Sequence, residues 1–298
     1  MRRLPFSVLL AAAVIFFTQA CSSTPKIIKP GRSGILLKKQ ICITPFEDRK
    51  RFDDVYLEQP FQDRLIDALL DNCKRPIFVI PGQKEFPAEL DTLPLLASGF
   101  TDNKAITDIA RQNGFNAVVT GVISDIRQKD EISWLTGDHS YFQVTITAEI
   151  YDTQSGAKLL DQAYLHEVEI DVGTASAADK ETDYFDLVAI ETVLKTIVDE
   201  MQADICDAVS GLPWLGFIIA SEGDTVTISA GKKVGLKKGT HLNIYQNDQI
   251  LTSALGNGYR IPGPLIGELK LISVSENQSK ATLVEGTGAV AGNSVSLK

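Results

Sequence analysis

The chain has 298 residues, 44% of them hydrophobic and 22% charged, with a formal net charge of −9. That is long enough for two domains of ordinary size and too apolar for a disordered chain. Residues 1–38 hold six Lys or Arg and no acid, residues 39–210 hold 15 basic against 32 acidic side chains (net −17), and residues 211–298 hold 8 against 6 (net +2). A body this acidic repels a nucleic-acid backbone, and no arginine-rich or interleaved aromatic stripe offsets the repulsion, so nucleic acid is excluded as a partner.

The first element is an export signal. Arg2 and Arg3 precede an apolar run from Phe6 to Phe17 and the sequence TQAC, which together read as a signal peptide over residues 1–20. The run is short for a bilayer span and is followed by the polar SSTPK, which argues against a retained transmembrane helix. Residues 21–38 contain Pro, Gly and Ser and carry only positive charge. They read as a tether near a surface.

An acidic unit of alternating strands and helices follows over residues 39–210. KQICITPF (39–46) reads as a buried strand, and Pro60 opens a helix with Phe61, Leu65, Leu69 and Cys73 at helical spacing. IFVIP is a second strand. DNKAITDIARQNG is a short helix with Asp102 as N-cap and Gly114 as its stop. AVVTGVISDIRQ is a third strand, and the alternating runs on either side of DTQSG (152–156) predict a long hairpin from Tyr141 to Ile170. A last helix is expected from about Asp183 to Val209, with Phe185, Val188, Thr192, Met201 and Ile205 along one stripe. An open sheet with packed helices, α/β (α+β), satisfies this order. Near Gly211-Leu212-Pro213 the helical pattern stops and a glycine-rich strand pattern begins, which marks a boundary to a second, all-β unit over residues 211–298.

Several motifs suggest chemistry at first reading. GKKVGLKKGT (231–240) suggests a phosphate loop, but the residue order differs from GxxxxGK[ST] and the segment after it alternates as a strand does. It reads instead as a tight turn between strands, in which Gly231, Gly235 and Gly239 supply positive φ and the four lysines stay solvated. His139, His166 and His241 lie in three separate segments without metal-ligand spacing. The pairs Glu47-Asp48, Asp53-Asp54 and Asp130-Glu131 are adjacent in loops and not opposed across a substrate. GTGAVAG (286–292) has no helix after it and is no dinucleotide fingerprint. The expectation is a protein that is not an enzyme and carries no cofactor and no metal site.

Family resemblances enter at these residues. Cys21, after a small residue, resembles the lipidated cysteine of bacterial lipoproteins, although Thr18 and Gln19 depart from the usual lipobox and ordinary cleavage after Ala20 stays open. Ser22 after it would imply sorting to the outer membrane. The strand ending in PF, the helix ending before AVVTGVI and the hairpin turning on DTQSG resemble the N-terminal domain of TolB, the curli secretion lipoprotein CsgG and the middle domain of the flagellar assembly protein FlgT. GKKVGLKKG and the strands around it resemble the C-terminal domain of FlgT, a small barrel. What this implies is a periplasm-facing outer-membrane lipoprotein that partners with flagellar-ring or secretion components. The alternative is a periplasmic regulator that activates another envelope protein. Self-association is left open. A secretion pore would need two amphipathic strands of about 9 to 11 residues, which the loop from Lys84 to Ser98 and the turn near Trp134 do not supply.

Three cysteines remain, and an oxidising periplasm allows one bridge among them. The favoured pair is Cys42 with Cys73, at the start of the first strand and the end of the helix returning along it. Cys73 with Cys206 is the second choice, and three buried free thiols are the third reading.

Overall fold

The computed structural model describes residues 36–48, 58–133, 137–170, 187–247 and 249–298. The expected signal peptide, Cys21, tether residues 21–35, Asp53, Asp54, Trp134, Phe185 and the expected helix start at Asp183 lie outside the described residues.

Six strands build the first layer: β1 (Gln40–Ile43), β2 (Glu47–Asp48), β3 (Ile77–Val79), β4 (Ala117–Ser133), β5 (Gly137–Asp152) and β6 (Lys158–Ile170). The order is β3-β1-β4-β5-β6, with β2 beside β4. β1 runs parallel to β3 and β4, whereas β4, β5 and β6 form an antiparallel meander. The β5–β6 turn forms on the DTQSG signal: Asp152 accepts from the backbone N–H groups of Gln154 at 3.1 Å and Ser155 at 3.0 Å, and Gly156 takes φ +76°. Such an Asx turn followed by a left-handed glycine fixes the register of the hairpin. β4 runs on to Ser133 and pairs with β5 along its whole length, beyond the strand end at Gln128 that the sequence suggests.

Every residue of β1 is buried. Alternation sends Ile41 and Ile43 to one face of the sheet and Cys42 to the other. Helices α1 (Glu58–Asn72), α2 (Asn103–Gln112) and α3 (Leu187–Ser210) divide between those faces. Phe61, Leu65 and Leu69 of α1 and Val193, Ile197 and Met201 of α3 join Ile41 and Ile43, while Ile106 and Ala110 of α2 join Cys42. α2 is capped by Asp102, which accepts from the Ala105 N–H at 2.9 Å, and it stops at Gly114, φ +78°. On α3 the expected stripe is corrected at Thr192, which is exposed. The helix packs against both α1 and β6 and therefore buries the broader set Ile190, Val193, Leu194, Ile197, Val198, Met201, Ile205 and Val209.

The second layer is a closed barrel. β7 (Gly216–Glu222), β8 (Thr225–Ile228) and β9 (His241–Tyr245) are followed by the hairpin β10 (Ile250–Thr252) and β11 (Gly258–Arg260), then by β12 (Leu265–Val274), β13 (Ser279–Gly286) and β14 (Ser294–Leu297). The hairpin stands outside a ring ordered β12-β13-β8-β7-β14-β9. Inward positions of the alternating strands, such as Val226, Ile228, Leu242, Ile244, Leu269, Leu271 and Val295, make the barrel core. Leu37, read from sequence as tether, is buried in that same core.

Candidate functional site

The loop from Gly231 to Gly239 sits at one end of the barrel. β8 and β9 occupy opposite positions in the ring, so the segment joining them crosses the barrel end and does not reverse between neighbours as expected. Val234 and Leu236 fill that end as part of the core. Gly235 and Gly239 take the expected positive φ, +102° and +87°. Gly231 does not: its φ is −144°, and a Cβ there would collide with the carbonyls of Ser275 and Glu276 in the β12–β13 turn. Close backbone approach is what requires glycine at this position.

The amides a phosphate would need are already donated. Lys232 N–H bonds the Ser275 carbonyl at 2.8 Å, Lys233 N–H bonds Glu276 at 3.0 Å, and Gly235, Leu236, Gly239 and Thr240 also donate to carbonyls. The lysine side chains are differently placed. Lys232, Lys237 and Lys238 are exposed and, with Leu236, Ile272 and Val274, line a shallow cleft of about 600 Å³. Lys38 lies beside this loop, its N–H donating to the Val234 carbonyl at 2.9 Å, and Leu36 is 76% exposed.

A second constellation joins sheet to barrel. Asn103, Thr107 and Arg111 stand four residues apart on α2 and are buried on the face carrying Ile106 and Ala110. Asn103 donates to the carbonyls of Gly156 at 2.8 Å and Gly258 at 2.9 Å and accepts from the Gly258 N–H at 3.0 Å. Arg111 donates to the carbonyls of Thr153 and Gly292, with its guanidinium 4.3 Å from the centre of the Phe217 ring. Burial, and then the charge of Arg260, lowers the Arg111 pKa to about 10, which leaves it charged at neutral pH. Asp108 pairs with Lys104 at 2.7 Å and with Arg260. Burial pushes the Asp108 carboxyl up, but hydrogen bonds from Lys104 and Arg260, and their charges, outweigh it and hold the pKa below the ordinary carboxylate value. Asn116 completes the seam by donating to the Leu215 carbonyl at 2.8 Å. None of these residues stands out in the sequence, where polar groups at i, i+4 and i+8 on an amphipathic helix read as its solvent side.

The cysteines resolve against the favoured pairing. Cys73 is bonded to Cys206 with Cα atoms 5.6 Å apart, and Cys42 is free and buried. Cys42 lies on the α2 face of the sheet, whereas Cys73 ends α1 on the opposite face beside α3. A β-sheet thus stands between the two residues expected to meet. Burial pushes the Cys42 thiol up to about 12.

The histidines stay apart, each beside its own carboxylate. His139 faces Glu169 at 2.5 Å, His166 faces Glu200 at 2.9 Å, and His241 faces Glu268, which also accepts from Lys298. Hydrogen bonds from Lys298 and His241 hold the Glu268 carboxyl below its ordinary range. His166, Glu200, Tyr164 and Asp204 line an open groove between β6 and α3, in which the Tyr164 hydroxyl donates to Asp204 at 2.8 Å. Among the described residues no three His, Cys, Asp or Glu side chains gather as metal ligands would, and no helix is long and apolar enough to cross a membrane.

No protein-family model matches the chain, and no curated protein matches it. Several solved structures are similar to part of it. The hypothetical protein CT253 of Chlamydia trachomatis aligns at TM-score 0.36 and 9% identity, covering 57% of this chain and 99% of its own. The lipoprotein GNA1162 of Neisseria meningitidis aligns at TM-score 0.32 and 12% identity, with coverage of 57% and 99%. PelC of Paraburkholderia phytofirmans, solved as a dodecamer, aligns at TM-score 0.33 and 11% identity, with coverage of 57% and 90%.

Proposed function

We propose that this chain is a non-enzymatic structural or assembly lipoprotein of the bacterial cell envelope. Acylated Cys21 holds it at the outer membrane, facing the periplasm, and the folded part serves as a scaffold for a flagellar-ring-like or secretion machine. The observation that supports this reading best is the seam. Arg111, Asn103 and Asn116 are each 4% exposed or less, and each bonds backbone on the barrel side, so buried hydrogen bonds tie the sheet to the barrel. A scaffold needs such a coupling to hold a partner on one unit at a fixed distance from an anchor on the other.

A second reading, a periplasmic regulator, draws on the β6 edge. β6 is the last strand of its sheet, and the polar groove between it and α3 is open to solvent. An added strand from a partner could pair there. Purification of the intact chain from crosslinked envelopes separates the two readings: ring or secretion components support the scaffold, and cell-wall synthases support the regulator. Anchoring is tested on its own by mass spectrometry of the mature N-terminus. An unmodified N-terminus, or Cys21→Ser protein that stays in the membrane fraction, would overturn it.

A further inference from the structure

The lysine-bearing end of the barrel combines three observations. Lys232, Lys237 and Lys238 converge on one cleft with the half-exposed apolar Ile272 and Val274. Among the described residues none of these lysines, nor Lys233, is held in an ion pair, and Glu276 is the one carboxylate in the adjoining turn. Lys38, whose N–H donates to the Val234 carbonyl, brings a fifth basic residue to the same loop.

We infer that this end of the barrel is a membrane-facing surface whose lysine side chains lie against the headgroups of an anionic phospholipid bilayer. The inference rests on the anchored reading above for its orientation. The charge distribution supplies the physical reason. The acidic sheet unit, net −17, is repelled by a negative surface, while the crossing loop, with four ammonium groups in seven residues, is attracted within about a Debye length of 8–10 Å. Leu37 and Lys38, among the described residues nearest Cys21 in sequence, lie beside the same loop, and Ile272 beside the lysines gives the interface an apolar contact.

The test uses chain from residue 22 without an acyl group, since both cores lie within the compact unit Ser33–Lys298. Sedimentation with vesicles of phosphatidylglycerol and phosphatidylethanolamine is compared with neutral phosphatidylcholine vesicles. Binding to the anionic vesicles alone is expected. It should weaken on the order of tenfold or more in Lys237→Glu with Lys238→Glu, and similarly at about 0.5 M salt. Lys237→Gln with Lys238→Gln replaces the charge reversal if circular dichroism shows the latter disturbs the fold. Three results overturn the inference: no binding to either vesicle, equal binding to both, or variants that bind as the parent does. Because no acyl group is present, failure here leaves the anchoring reading to its own mass-spectrometric test.

Discussion

Arg111 is 4% exposed yet carries a full charge, and its partners are backbone carbonyls and an aromatic face, not a carboxylate. Such a group holds its place because its Nη groups donate to buried carbonyls, and the Phe217 ring adds a cation–π contact. Arg111→Met keeps the stem and removes the donors, so the carbonyls of Thr153 and Gly292 lose their partner. The expected loss is about 1–3 kcal/mol in urea unfolding, together with a broader transition as the barrel separates from the sheet. An unchanged midpoint and slope would show that the seam does not depend on this residue. Asn103 and Asn116 work by the same rule, satisfying backbone that would otherwise be buried bare.

At the scale of elements, the loop closing the barrel and the bridge between α1 and α3 each make a measurable claim. Gly235→Val and Gly239→Val force a β-branched residue to positive φ, and Gly231→Ala drives a Cβ into the Ser275 and Glu276 carbonyls. Each should destabilise the barrel by about 1 kcal/mol or more in thermal or urea unfolding, while Lys232→Ala with Lys233→Ala should stay within about 0.5 kcal/mol. A larger effect from the lysines than from the glycines would reverse the assignment of roles. The Cys73–Cys206 bridge spans 133 residues. In the chain-entropy model its removal by Cys73→Ser with Cys206→Ser lowers stability by roughly 5 kcal/mol. Non-reducing peptide mapping checks the pairing: of Cys42, Cys73 and Cys206, only Cys42 should alkylate after denaturation without reductant. The native protein should resist labelling near pH 8, because the buried Cys42 thiol titrates at about 12.

Across the whole molecule, the Asp108–Arg260 pair links α2 to the hairpin outside the barrel. Asp108 binds a proton less readily in the folded state than at its ordinary value of 3.8. Its contribution to stability is therefore complete above that value and is lost as the pH falls through the lower folded-state value. Urea midpoints for the parent and Asp108→Asn should differ at neutral pH and converge as the pH drops below 3.8. A gap that persists in acid would mean that the carboxylate charge is not what the seam uses. The pair is thus one of the polar contacts that tie α2 to the barrel side of the molecule.

Local physics made much of this legible in the sequence. The Asp102 cap, the Gly114 stop and the DTQSG turn depend on neighbours a few residues away, and the structure forms all three as read. The buried β1 strand and the stripe Phe61, Leu65 and Leu69 were equally readable, since hydrophobic period specifies them, although that helix begins at Glu58 and not at Pro60 as expected. Pairings across the fold were not readable in this way. Cys42 and Cys73 looked adjacent because a strand and the helix after it pack together, but which face a strand residue takes depends on sheet register, and that sets the two thiols on opposite sides. The route of the 231–239 loop across the barrel, the burial of Leu37 and the role of Arg111 share this cause. Each depends on which strands become neighbours around a closed ring and on what docks against it, so only the assembled tertiary structure decides it.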